Sequence, residues 1–111
     1  MRLFLYGTLL NPATLAQRSG DPAAPRRCVA ATLHDWQRVA LPGGRYPTLQ
    51  RQPGGAVHGA MVDVDAEATR RLAAYEGKAY RLVRVVVATA GGNTAANVWI
   101  APGGTRRPWK E

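Results

Sequence analysis

The chain begins with the stretch MRLFLYGTLL, residues 1–10, and this stretch decides how the fold starts. Branched and aromatic side chains over residues 2–6 predict a first strand that stops at a small, hydroxyl-bearing turn. We call this segment the first turn; it consists of Tyr6, Gly7, Thr8 and Leu9. Backbone amides at a strand end can bind an anion or a carbonyl oxygen, and glycine lets a ligand approach closely. We therefore expect the first turn to bind a small anionic ligand.

Length and composition limit the possible architectures. The chain has 111 residues, of which 46% are hydrophobic and 20% charged, so we expect one folded domain over residues 1–111 with a single core. No stretch approaches the roughly 18–20 apolar residues that a membrane span needs. Residues 2–6 are also too short for the apolar region of a signal peptide. We expect a cytoplasmic protein without a membrane partner.

Charge and cysteine content narrow the partners. The net charge is +8, from 15 lysines and arginines against 7 acids, but the arginines are spread along the chain as singles and pairs. Nucleic-acid binding is disfavoured because it needs a basic cluster with interleaved aromatics, whereas one arginine suffices to bind a carboxylate. The single cysteine, Cys28, has no partner for a disulfide or a metal, and an inert buried thiol is favoured over a nucleophile.

The first half of the chain alternates one helix with several strands. Asn11 is positioned to cap a helix that has proline at its first position and runs to about Arg18. Residues 28–33 and 36–41 are interpreted as two strands. Residues 46–49 are interpreted as a short extended piece that Pro47 confines to an edge or a rim.

The second half contains the clearest helix. Residues 57–64 predict a half-buried strand, after which Asp65 is positioned to cap a helix that Gly77 ends. Residues 80–89 and 95–101 predict a long hairpin. About six strands and two helices indicate a small α+β domain whose mixed sheet curls into a barrel, so that few edges stay open.

Glu76 breaks a local rule. It is an acid in the last turn of the predicted helix, where the macrodipole disfavours negative charge. It can simply project into water or pair with Lys78 or Arg81; alternatively, partial burial raises its pKa and suits it to proton transfer near neutral pH.

Other catalytic patterns are weaker. His34 and His58 lie in predicted strands without a serine or cysteine at motif spacing, so structural roles are favoured. No metal motif, phosphate loop or dinucleotide fingerprint occurs. Paired glycines are interpreted as turns; they are Gly43-Gly44, Gly54-Gly55, Gly91-Gly92 and Gly103-Gly104.

Five short motifs together resemble a known family. They are Tyr6-Gly7-Thr8-Leu9 after the first strand, Tyr46-Pro47 mid-chain, Val57-x-Gly59 opening a strand, Tyr75-Glu76-Gly77 closing a helix and Tyr80-Arg81 starting the next strand. Their order and setting resemble the gamma-glutamylcyclotransferase-like family, in its avirulence-induced-gene-like branch. The resemblance runs from Met1 to about Trp99, and Trp109 near the end also fits.

The resemblance implies a small β-barrel flanked by helices, and an enzyme that cyclises a gamma-glutamyl amine or peptide to 5-oxoproline plus a free amine. It implies that Glu76 is the catalytic acid/base and that the first turn holds the glutamyl group. Tyr46 and Tyr80 are expected as cavity walls. Cyclisation joins two groups of one molecule, so we expect no cofactor and no metal. We expect a monomer or weak dimer.

Two alternatives to an enzyme remain open from the sequence. The first is a non-catalytic module that keeps the cavity and the first turn for a small carboxylate ligand. The second is a basic domain that binds RNA or protein.

Overall fold

A computed structural model of the protein describes residues 1–42 and 46–102. These residues form five strands, three α-helices and a short 3-10 helix, Thr8–Leu10. In chain order the elements are β1 (Arg2–Leu5), α1 (Pro12–Ser19), α2 (Ala24–Arg27), β2 (Val29–Ala40), β3 (Pro47–Asp63), α3 (Ala66–Glu76), β4 (Arg81–Thr89) and β5 (Gly92–Ile100). Gly43-Gly44, Gly103-Gly104 and Trp109, which enter the sequence argument, lie outside the described residues.

The strands form a closed barrel in the order β1-β3-β2-β4-β5. Neighbouring strands are antiparallel, except that β5 closes the barrel on β1 by a parallel pairing of Leu3 with Asn97. The predicted mixed α+β barrel flanked by helices is therefore confirmed. None of the helices in the described residues is long and apolar enough to cross a membrane.

Strand boundaries differ from the prediction, which divided each of two long strands into two shorter ones. Residues 29–33 and 36–40 of the two predicted strands belong to one strand, β2, in which Asp35 adopts a positive φ of 69° and the register with β3 shifts. A carboxylate oxygen of Asp35 accepts the N–H of Gly54, 3.0 Å away, which holds this bulge against β3. The expectation of two strands was wrong because the chain continues through the bulge.

The same applies to residues 46–49 and 57–64, which lie at the two ends of β3. Pro47 is not in a separate rim piece: it is the buried first residue of β3 and pairs with Ala40. A strand's first residue tolerates proline because its amide is not needed in the ladder. The sheet consequently has five strands instead of about six.

The helix boundaries follow the predicted signals closely. Asn11 caps α1, its side chain accepting the N–H of Thr14 at 3.1 Å, and Asp65 caps α3 by accepting the N–H of Ala68 at 2.8 Å. Gly77 follows α3 with a positive φ of 87°, which favours glycine. The four-residue helix α2 was not predicted.

The core has two layers on either side of β1, because successive strand residues face opposite ways. Leu3 and Leu5 pack with buried residues of α1, α2 and α3, whereas Phe4 packs inside the barrel with residues of the other four strands. Gly59 of β3 allows this arrangement, since a Cβ there would overlap the carbonyl oxygen of Leu5 and touch the Phe4 ring. The motif glycine is thus required by close strand packing.

Candidate active site

A cavity of about 170 Å³ opens where the two core layers meet. It is lined by the end of β1 and the first turn, the start of β3, the end of α3, the residue before β4 and one residue of β5. The lining residues are Phe4, Leu5, Tyr6, Gly7, Thr8, Leu9, Tyr46, Pro47, Tyr75, Glu76, Tyr80 and Trp99. The walls are mainly aromatic, and all four tyrosines of the chain take part.

The structure brings every site residue predicted from the sequence to this cavity. Those residues are Glu76, Tyr6, Gly7, Thr8, Leu9, Tyr46 and Tyr80. Tyr46 is 50% exposed and lies at the open side, whereas Tyr6 and Tyr80 are partly buried. Residues far apart in the chain therefore surround one space large enough for a small molecule.

The first turn is held in place from both sides. Leu9 is buried, and the 3-10 helix is closed by hydrogen bonds from Leu10 N–H to the Gly7 carbonyl and from Asn11 N–H to the Thr8 carbonyl. Arg38 of β2 donates from Nε to the Tyr6 carbonyl at 2.9 Å. The N–H groups of Thr8 and Leu9 open the 3-10 helix and have no acceptor within it.

Glu76 ends α3 with its carboxyl group at the cavity. Within the described residues this carboxyl group forms no hydrogen bond and no ion pair, so the suggested pairing with Lys78 or Arg81 is absent there. Burial raises the pKa of Glu76 from its ordinary value of 4.5 to about 7. Desolvation favours the neutral acid, and no cation of residues 1–42 and 46–102 offsets it.

The tyrosine hydroxyls of the inner wall are already engaged. Tyr6 donates to the Trp99 carbonyl at 2.7 Å, and Tyr80 donates to the Pro47 carbonyl at 2.9 Å. Burial raises the pKa of Tyr6 and raises that of Tyr80 to about 12, and the charge on Glu76 raises both further. Both phenols are therefore neutral at physiological pH, and Glu76 is the group suited to exchanging a proton there.

Some lining residues were not predicted as site residues. Trp99 and Pro47 contribute through the backbone carbonyls that the tyrosines use. Tyr75 was interpreted as an apolar helix position and as part of a motif, but its hydroxyl lies 2.7 Å from Thr8 Oγ1. Its position next to Glu76 was the available signal.

The other candidate residues lie elsewhere. His34 and His58 do not line the cavity; both are exposed, and His58 Nδ1 lies 3.1 Å from Thr32 Oγ1. Cys28 is partly buried, and burial raises the pKa of its thiol. Within residues 1–42 and 46–102, no group of three His, Cys, Asp or Glu side chains is arranged to hold a metal ion.

With the geometry established, comparisons with known proteins identify the family. The family model for gamma-glutamyl cyclotransferase, AIG2-like proteins matches residues 3–110. The chain belongs to this family. Family membership supports a cyclotransferase-type function. No curated protein matches the chain significantly.

Solved structures of this fold agree. The solution structure of At5g39720.1 from Arabidopsis thaliana is 25% identical, with a TM-score of 0.80 over 99% of this chain and 74% of that one. A gamma-glutamyl cyclotransferase is 20% identical, with a TM-score of 0.79 over 94% of this chain and 68% of its own. An AIG2-like protein from mouse is 18% identical, with a TM-score of 0.69 over 99% and 85%. At these identities the last two relatives show the fold alone.

Proposed function

We propose that this protein cyclises a gamma-glutamyl amine or peptide to 5-oxoproline and a free amine, with Glu76 as the acid/base. The observation that carries the proposal is the carboxyl group of Glu76, which has a pKa of about 7, has no partner among the described residues and lines a small aromatic cavity together with the first turn. A group that ionises near the working pH can both accept and return a proton.

The reaction needs one proton relay. The substrate's α-ammonium is not nucleophilic until Glu76 removes a proton from it. The freed amine nitrogen then attacks the γ-carbonyl carbon, forming the ring C–N bond and an oxyanion. As the oxyanion collapses, the bond to the leaving amine breaks, protonated Glu76 gives its proton to that amine, and the ring nitrogen releases its remaining extra proton to solvent.

The first turn supports the developing charge in this scheme. The N–H groups of Thr8 and Leu9 are suited to stabilising the oxyanion or to binding the substrate's α-carboxylate. Because nucleophile and electrophile belong to one molecule, catalysis consists largely of holding the glutamyl chain folded. The rings of Tyr6, Tyr46 and Tyr80 provide walls that exclude water and orient the glutamyl chain.

The proposal is tested by incubating the protein with a panel of gamma-glutamyl amines and measuring 5-oxoproline. We expect Glu76→Gln to lose roughly 10²- to 10⁴-fold in turnover, because Gln cannot transfer the proton. The matched control is Glu67→Gln. Glu67 is exposed near the start of the same helix, where it pairs with Arg70 and Arg71. We expect this control to keep full activity.

Two outcomes contradict the proposal. If Glu76→Gln retained wild-type turnover, another group would be the base. If the wild-type protein released no 5-oxoproline from any substrate but was stabilised thermally by 5-oxoproline or glutamate, the cavity would belong to a non-catalytic binding module.

A further inference from the structure

We propose that Tyr75 is a positioning residue, whose hydrogen bond to Thr8 holds the end of α3, and with it Glu76, at a set distance from the first turn. The inference rests on the proposed function for its kinetic consequence. Its structural part concerns how Glu76 is oriented, and that part stands independently of turnover.

The contact joins the two halves of the cavity. The Tyr75 hydroxyl lies 2.7 Å from Thr8 Oγ1, across 67 positions of sequence. Between residues 1–42 and 46–102, no other hydrogen bond connects α3 with the first turn. Thr8 and Tyr75 both line the cavity, so this bond ties the first turn to the end of α3 in the cavity wall, next to Glu76.

Glu76 needs such a support because it has little of its own. Its carboxyl group has no hydrogen-bond partner in the described residues, and it is the last residue of α3. Beyond it the chain leaves the helix through Gly77, and last turns of helices fray readily. The backbone of this end is closed by the N–H of Gly77, which donates to the Ala73 carbonyl at 3.1 Å, and the Tyr75 hydroxyl adds a side-chain bond that ties it to the first turn.

The Tyr75 ring is itself held in one orientation. One part of the ring packs against the helix-side core, which includes Leu72. The guanidinium of Arg18, on α1, lies over the ring with its carbon 5.0 Å from the centroid, within cation–π range. A ring restrained in this way presents its hydroxyl to Thr8 without a large loss of rotamer freedom.

The expected consequence is a loss of catalytic geometry. Proton transfer requires the base within about 2.6–3.2 Å of the proton it moves, and a small displacement lowers the rate sharply. We expect Tyr75→Phe to lower kcat about tenfold while KM changes less than about twofold, since the walls and amides that bind substrate remain. Phe keeps the ring and removes only the hydroxyl.

A double-mutant cycle tests whether the bond itself is responsible. Thr8→Ala removes the other partner of the bond. We expect its kcat to fall because the bond is lost and because Thr8 also lines the cavity. We expect Tyr75→Phe to have little further effect in the Thr8→Ala background, because the bond is already gone. Losses that multiply independently would overturn the inference.

A second measurement does not depend on activity. The chain has only 7 acidic side chains, so carboxyl carbon NMR can follow Glu76 through a pH titration. We expect Tyr75→Phe to lower the pKa of Glu76 by roughly one unit, because a looser helix end admits water to the carboxyl group. The other titratable side chains among the described lining residues are the phenols of Tyr6, Tyr46, Tyr75 and Tyr80, of which Tyr75→Phe removes one.

Thr69→Val is the matched control. Thr69 donates its hydroxyl to the Asp65 carbonyl at the start of α3, so this variant removes a side-chain hydrogen bond of the same helix outside the cavity. We expect it to leave kcat, KM and the pKa of Glu76 unchanged. An unchanged pKa in Tyr75→Phe overturns the inference; absence of turnover in the wild-type protein overturns the proposed function instead.

Discussion

Glu76 carries a carboxyl group whose ionisation is less favourable in the folded protein than in the unfolded chain. Its folded pKa of about 7 lies above its ordinary value of 4.5, because burial disfavours the charged form. The stability that this group contributes is therefore fully present below about pH 4.5 and is lost as the pH rises through about 7. The difference corresponds to roughly 3 kcal/mol.

Glu76→Gln should accordingly stabilise the protein at neutral and alkaline pH. Gln stays neutral, so we expect the free energy of unfolding of the variant to exceed that of the wild-type protein by up to about 3 kcal/mol near pH 8, and by little near pH 4. Urea denaturation across this pH range measures the effect. A difference between the two proteins that is constant with pH would show that Glu76 is not desolvated.

For single residues, the sequence predicted which side chain has unusual chemistry more readily than which side chains contact each other. Glu76 was singled out because the helix macrodipole disfavours an acid at a helix C-terminus. This rule involves only neighbouring residues, so it can be applied to a single sequence. The role we propose for Tyr75 was not predicted, because its partner Thr8 lies on a distant segment. The seven residues predicted for the site came largely from the family resemblance, and the structure places all of them around one cavity.

Elements defined by local signals were predicted well, and those defined by pairing were not. Asn11 and Asp65 cap their helices as expected, since capping involves only residues three positions ahead. The sequence predicted that a strand ends near Asp35. The strand instead continues through a bulge there, because Asp35 accepts a hydrogen bond from Gly54 of the neighbouring strand. The division of β2 and β3 into shorter strands has this cause.

Gly59 gives the sharpest prediction for an element. We expect Gly59→Ala to lower the free energy of unfolding by about 3 kcal/mol, because its Cβ would force β3 away from the backbone of β1 at Leu5. The matched control is Gly91→Ala in the β4–β5 turn, where the nearest atom to a Cβ is 3.7 Å away. Chemical denaturation of both variants measures this; equal stabilities would contradict the packing argument.

The whole molecule places its cavity at the junction of two cores. Phe4 belongs to the barrel interior, whereas Leu5, Leu9 and Trp99 belong to the layer beneath the helices, and all four line the cavity. Barrel closure through Leu3 and Asn97 brings Trp99 to the first turn. The sequence predicted a curled sheet. It did not predict which strands close the barrel, because that pairing joins residues near the beginning of the chain to residues near its end.

The central claim is that Glu76 exchanges a proton with substrate near neutral pH, and the pH dependence of kcat/KM tests it most directly. Using a gamma-glutamyl amine that the wild-type protein cyclises, we expect kcat/KM to rise with an apparent pKa near 7 as Glu76 ionises. An activity that stayed constant from about pH 8 down to about pH 5 would contradict the account.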